Sequence, residues 1–204
     1  SILWQQRQKP RPAHAIKCHI KLKDETKVFF QRTRPLNPVQ RDALRVKIRE
    51  QLEKGVLEPS TSPYSSPVML VPKPGGKLRF VVDLRALNKA VEADTYTLPR
   101  VDEAMTSLNG HKVFSALDLS DAFWSVELTK ESRKYTSFQT PEGALQYCRM
   151  PQGYRNASAV FCRFIDQTLG SMKWQDVLTY IDDLIVFSGD IDTHLDKLEE
   201  LFRR

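Results

Sequence analysis

The stretch Val177-Leu178-Thr179-Tyr180-Ile181-Asp182-Asp183-Leu184-Ile185-Val186-Phe187 sets two adjacent carboxylates inside an apolar, strongly β-prone run. Aspartate is disfavoured in strands and costly to strip of water. The run therefore reads as a hairpin with the two acids at its tip. Two local readings fit that tip. In one, Asp182 and Asp183 are solvated turn residues, a role that suits Asp. In the other, the tip presents both carboxylates to a divalent cation, which offsets the repulsion between neighbouring negative charges.

A metal site for phosphoryl transfer needs acids from more than one place. Asp118 supplies one, at the end of the run Val113 to Leu117, which reads as a buried strand. By itself Asp118 equally fits a strand-end acid that caps the next element. With Asp182 and Asp183 it suits two Mg²⁺ ions, which prefer hard oxygen ligands and keep water and substrate phosphate in their shell. A two-metal clamp stabilises the attacking and leaving oxygens of an in-line displacement.

Further out, the elements alternate between helical and extended signals. Asn37, Pro38 and Gln40 form an N-cap with a reciprocal box, Leu44, Ile48 and Leu52 recur at i, i+4, and Gly55 closes that helix. The runs Val68 to Val71 and Leu78 to Val82 flank Pro72-Lys73-Pro74-Gly75-Gly76-Lys77, a hairpin with a basic tip. Helices are expected over Val101 to Leu108, Asn156 to Leu169 and Asp190 to Arg204. Residues 1 to 35 read as an extended arm in which Ile16 to Leu22 alternates like a strand.

The bulk properties are permissive. The 204 residues are 41% hydrophobic, enough for one large domain or two intimate subdomains. The net charge of +6 suits a polyanionic partner, and solubility would explain it equally well. Three cysteines at spacings that fit no zinc module imply reduced thiols in an intracellular protein. No apolar run is long enough to span a bilayer, the N-terminus lacks the apolar core of a signal peptide, and no membrane partner is expected. The first residue is not Met, so a longer parent is expected.

Five blocks, taken in order, resemble the reverse transcriptases of gypsy-type LTR retrotransposons and retroviruses. They are Leu57 to Val68, Arg79 to Lys89, Leu117-Asp118-Leu119, Met150 to Ala157, and Tyr180-Ile181-Asp182-Asp183, which is similar to the Tyr-x-Asp-Asp box. One such box is weak; five in the family's order are not a chance match. The resemblance covers roughly residues 15 to 204. It implies an α+β fold of fingers and palm, with an antiparallel palm sheet backed by helices. Residues 36–112 would be mainly fingers and 113–204 mainly palm, with about 125–150 returning to the fingers.

The same resemblance implies an RNA-directed DNA polymerase. Asp118, Asp182 and Asp183 would be the catalytic metal ligands, joined by the Leu119 backbone, with two Mg²⁺ ions or Mn²⁺ in their place. Lys73 and Arg79 would grip the triphosphate of a dNTP, with Lys77 the alternative to Lys73. The Asp121 and Ala122 amides would cradle phosphate, Phe123 would exclude a 2′-hydroxyl, and Gln152 would line the nucleotide pocket, as in the retroviral pattern. Gly153 and Tyr180 would face a template-primer of RNA/DNA or DNA/DNA. Expected partners also include the rest of a Pol polyprotein: a thumb and RNase H, neither visible in these residues, with protease and integrase. The expected location is a cytoplasmic virus-like particle or virion, or the nucleus. The rival reading is a truncated or domesticated module that binds nucleic acid without catalysis.

Overall fold

The structure, a computed structural model, describes residues 16–33, 35–72, 78–96, 106–180 and 183–204. In chain order its elements are β1 (Lys17–Cys18), α1 (Pro38–Glu53), β2 (Leu57–Pro59), β3 (Val68–Pro72), β4 (Leu78–Val82), α2 (Arg85–Ala90) and β5 (Val113–Asp118). There follow β6 (Glu127–Leu128), α3 (Lys130–Arg133), β7 (Phe138–Thr140), β8 (Gly143–Tyr147), α4 (Ala157–Leu169), β9 (Val177–Tyr180), β10 (Asp183–Ser188) and α5 (Ile191–Arg203). The chain forms two compact units: Ser1–Ala93 with Phe123–Ala157, and Asp94–Ala122 with Ser158–Arg204. Among the described residues no helix is long and apolar enough to cross a membrane.

In the first unit, α1 starts where its cap signals place it. The Gln40 amide donates to the Asn37 side chain at 2.8 Å, and the Asn37 amide donates to Gln40 Oε1 at 3.0 Å. This reciprocal box satisfies two amides that the first turn leaves unpaired. Gly55, at φ 67°, adopts the left-handed conformation that suits glycine just beyond a helix end. Leu44 and Ile48 are buried, but Leu52, expected on the same face, is 39% exposed. Each i, i+4 step advances about 40° around the axis, so the third position turns out of the contact.

The first unit's described sheets are β2-β8-β7, the β3–β4 pair and the short β1–β6 pair. Phe138, fully buried, packs near Phe80 and Tyr147 with ring centroids 5.7 and 5.6 Å apart. The part of the expected arm that is described is stitched down rather than free. β1 pairs in parallel with β6, Leu22 bridges Val91, and Phe30 bridges Ser65. The predicted alternation holds there, with Cys18, Ile20 and Leu22 buried between exposed Lys17, His19 and Lys21. Residues 1–15 of that arm, and the predicted helix over residues 101–108 as far as residue 105, lie outside the described residues.

In the second unit, β5, β10 and β9 form one antiparallel sheet in that order. α5 lies against β10 and β5. The expectation that Val113 to Leu117 is a buried strand needs correction. β5 alternates between half-buried and exposed residues, with Phe114 49% exposed. Among the described residues it is the sheet's edge, bonded only to β10, and α5 covers one of its faces. α5 is capped by Asp190, whose side chain accepts from the Thr193 amide at 2.9 Å.

Candidate active site

The register of β5 against β10 places Asp183 directly opposite Asp118, and Leu184 opposite Leu117. In an antiparallel pair, opposed side chains share a face and their Cβ atoms lie about 4.5–5.5 Å apart. Both aspartates are exposed, whereas Leu184 is buried on the opposite face and Leu117 is half-buried there. At this end the sheet thus buries Leu184 on one side and presents two carboxylates on the other, while further along β10 Phe187 is buried on the carboxylate side. Like charges opposed in this way are destabilising unless something neutralises them.

Tyr180 pairs with Asp183 across β9–β10, so only Ile181 and Asp182 connect the two strands. Asp182 lies outside the described residues, as does any account of the Tyr180 side chain. Beyond β5, Leu119 is half-buried and Asp121 has φ 55°, a left-handed value uncommon for a residue with a Cβ. Asp121 turns the chain into a 3₁₀ turn, Ala122–Ser125, where Ala122 is buried and Phe123 half-buried.

The first unit holds the other predicted residues. Arg79, on β4, donates from Nη2 to Gln152 Oε1 at 2.8 Å, and both residues are exposed. They stand at a cleft of about 350 Å³ that Trp124, Tyr147 and Gln51 help to line. Gly153 also borders it, with φ 86° and open space where a Cβ would sit. Lys73 and Lys77 lie outside the described residues.

Two contributors had no role assigned from sequence. Asn88 Nδ2 donates to the Gly153 carbonyl and Asn88 Oδ1 accepts from the Arg155 amide, both at 2.8 Å. Asn88 therefore clamps the turn that carries Gln152 and Gly153; its place in the Arg79 to Lys89 block was the available signal. Asp83, buried, holds the exposed Arg85 through two oxygens at 2.6 to 3.0 Å. That contact raises the Arg85 pKa above its already high ordinary value. Glu127, on β6, pairs with Lys17 at 3.2 Å and Arg149 at 3.7 Å.

The surroundings of Cys148 disfavour the nucleophilic thiolate. Burial, reinforced by its hydrogen bond to Glu58, pushes its thiol up to about 12. Burial acts to raise Glu58, but Gln146, Cys148 and Arg133 more than offset it and hold that carboxyl below its usual range. Among the described residues no group of three or more His, Cys, Asp or Glu side chains is arranged to hold a metal ion. Asp118 and Asp183 provide two exposed hard oxygen donors directly opposite one another, which fits a divalent cation.

The second unit thus carries an antiparallel sheet with two aspartates opposed across β5 and β10. Residues 71–204 match the family described as reverse transcriptase (RNA-dependent DNA polymerase), and the chain belongs to that family. It is 36% identical over 184 residues to the enzymatic polyprotein of cauliflower mosaic virus (strain Strasbourg), covering 88% of this chain and 27% of the polyprotein. It is also 36% identical over 185 residues to the retrovirus-related Pol polyprotein from transposon opus of Drosophila melanogaster, covering 88% of this chain and 18% of that protein. Among solved structures, it resembles the foamy viral protease-reverse transcriptase in complex with an RNA/DNA hybrid. The TM-score is 0.84 and the identity 29%, over 99% of this chain and 27% of that one. The chain thus spans about a quarter of the length of the viral polyprotein it matches.

Proposed function

We propose that this chain is the catalytic region of an RNA-directed DNA polymerase that adds dNTPs to a primer 3′-hydroxyl on an RNA or DNA template. The observation that carries the reading is the pairing of Asp183 with Asp118 on the open face of a sheet, in a chain of this family. Asp118 and Asp183, with Asp182 beside them in sequence, are the residues that would hold Mg²⁺, with Mn²⁺ as the substitute. Bound there, two such ions supply charge neutralisation at the attacking and leaving oxygens.

The other roles belong to the protein's own groups. Arg79 offers a planar fork to the triphosphate, and Lys73 a point charge beside it. In their hydrogen-bonded pair, Arg79 orients the Gln152 amide for the nucleotide. A left-handed residue beside a helical turn, as at Asp121, is a backbone form that aims amides at an anion. Phe123 sets the sugar selectivity, and Gly153 lets the template backbone come close. In this reading the first unit serves as fingers and the second as palm. The foamy viral enzymes that this chain resembles are described in complex with RNA/DNA hybrid and with double-stranded DNA. A template-primer of either kind is the proposed partner, and a Pol polyprotein in a virus-like particle the proposed parent.

Primer extension on an RNA template with Mg²⁺ tests this. The wild type extends, Asp182→Asn/Asp183→Asn binds template-primer without extending, and Phe123→Ala admits ribonucleotides. Template-primer binding by the wild type with no extension would favour a non-catalytic binding module. Equal extension by wild type and the double variant would refute the site.

A further inference from the structure

We infer that His194 is a positioning residue for the paired carboxylates, fixing the register of β5 on β10 that sets Asp183 opposite Asp118. Its functional consequence rests on the polymerase reading; its structural content does not. His194 is 2% exposed, in the first half of α5. Its Nε2 lies 2.8 Å from Ser115 Oγ on β5, and its Nδ1 lies 3.0 Å from Ser188 Oγ on β10. The Ser188 hydroxyl donates to the Asp190 carbonyl at 2.7 Å. That proton is committed, so Ser188 Oγ accepts and His194 Nδ1 carries the hydrogen. Nε2 is then the acceptor for the Ser115 hydroxyl. Both ring nitrogens are used, which leaves neither for substrate or metal.

The geometry explains why an imidazole stands here. Ser115 is opposite Val186, and Ser188 lies two residues further along β10 on the same face. Such diagonal neighbours are about 7–8 Å apart. A ring with nitrogens on two sides can span that gap with a hydrogen bond at each end. A slip of one residue would turn one serine to the other face of the sheet. A slip of two would bring the serines directly opposite each other, too close to admit the ring, or carry them out of its reach. Only the observed register satisfies both nitrogens, and a buried polar group left unpaired is costly. Lys197, one turn along α5, fastens the helix to the same strand by donating to the Phe187 carbonyl at 3.0 Å, while pairing with Asp176 at 2.8 Å. The covered face of the sheet thus sets the alignment of the acids on its open face.

The test compares His194→Leu, His194→Gln and Ser115→Ala/Ser188→Ala with the wild type. The measurements are template-primer affinity, dNTP KM, kcat in primer extension, and amide hydrogen exchange along β5 and β10. The expected result is a folded His194→Leu protein with unchanged template-primer affinity and KM but kcat lowered about 10-fold or more. Amides near Asp118 and Asp183 exchange several-fold faster, and His194→Gln, which can still bond one serine, recovers part of both. The double serine variant, which removes both partners without adding bulk, decides the matter if His194→Leu does not fold. Wild-type kcat with wild-type exchange in either variant overturns the inference. Should the wild type itself extend no primer, the polymerase reading fails and the exchange measurement still decides the role of His194.

Discussion

At the scale of single residues, the open face of the sheet keeps two negative charges in opposition that a folding protein would otherwise avoid. Asp118 and Asp183 face one another across β5 and β10. Without a cation this contact opposes folding. Asp183→Asn is therefore expected to stabilise the metal-free protein by about 0.5 kcal/mol, while removing primer extension. Urea denaturation in a chelating buffer measures it, and a loss of stability instead would show that the two carboxylates do not repel. Asn88 works in the opposite sense, because it holds a turn together. Asn88→Ala removes its bonds to Gly153 and Arg155. Water replaces them at this exposed turn, so the expected cost is about 1 kcal/mol, accompanied by a raised dNTP KM as Gln152 loses its setting. An unchanged KM would separate Asn88 from the nucleotide pocket.

At the scale of elements, β2 and β8 carry a half-buried polar cluster that makes the first unit acid-sensitive. Glu58 accepts from Arg133 at 2.9 Å and from Gln146 at 2.7 Å. The folded protein holds this carboxyl below its usual range despite partial burial. A group depressed on folding contributes stability above its unfolded pKa and loses it as pH falls through its folded pKa. Glu58→Gln is therefore expected to be less stable than wild type at pH 7, and the gap between them to close below about pH 4. Urea midpoints at the two pH values check this. A gap that stays constant would mean that the cluster acts through packing alone.

At the scale of the whole molecule, the basic excess bears on how a polyanion is held. The net charge is +6, and exposed Arg79, Arg85 and Lys89 all belong to the unit read as fingers. Nucleic-acid affinity is expected to fall linearly on a logarithmic plot against salt, with a slope of about −0.9 for each phosphate neutralised. Arg85→Ala should make that slope shallower by about one. A flat salt response measured by fluorescence anisotropy would exclude phosphate contacts as the source of binding.

Local chemistry was enough for the parts whose signals act over a few residues. The Asn37–Gln40 box, Gly55 and the hairpin of β9 and β10 depend on neighbours within one or two turns, so their residue types declare them. The ordered blocks around Asp118 and Tyr180 to Asp183 likewise pointed to the family. Contacts between distant segments were not legible. β5 alternates only because one of its faces is covered by a helix more than 70 residues later in the chain. Nothing in the residues next to His194 marks it; the fold brings Ser115 and Ser188, from two separate strands, to its two nitrogens. The Arg79–Gln152 bond joins residues 73 positions apart. A hydrogen bond or a register forms between surfaces, and which surfaces meet depends on how the whole chain buries its apolar faces.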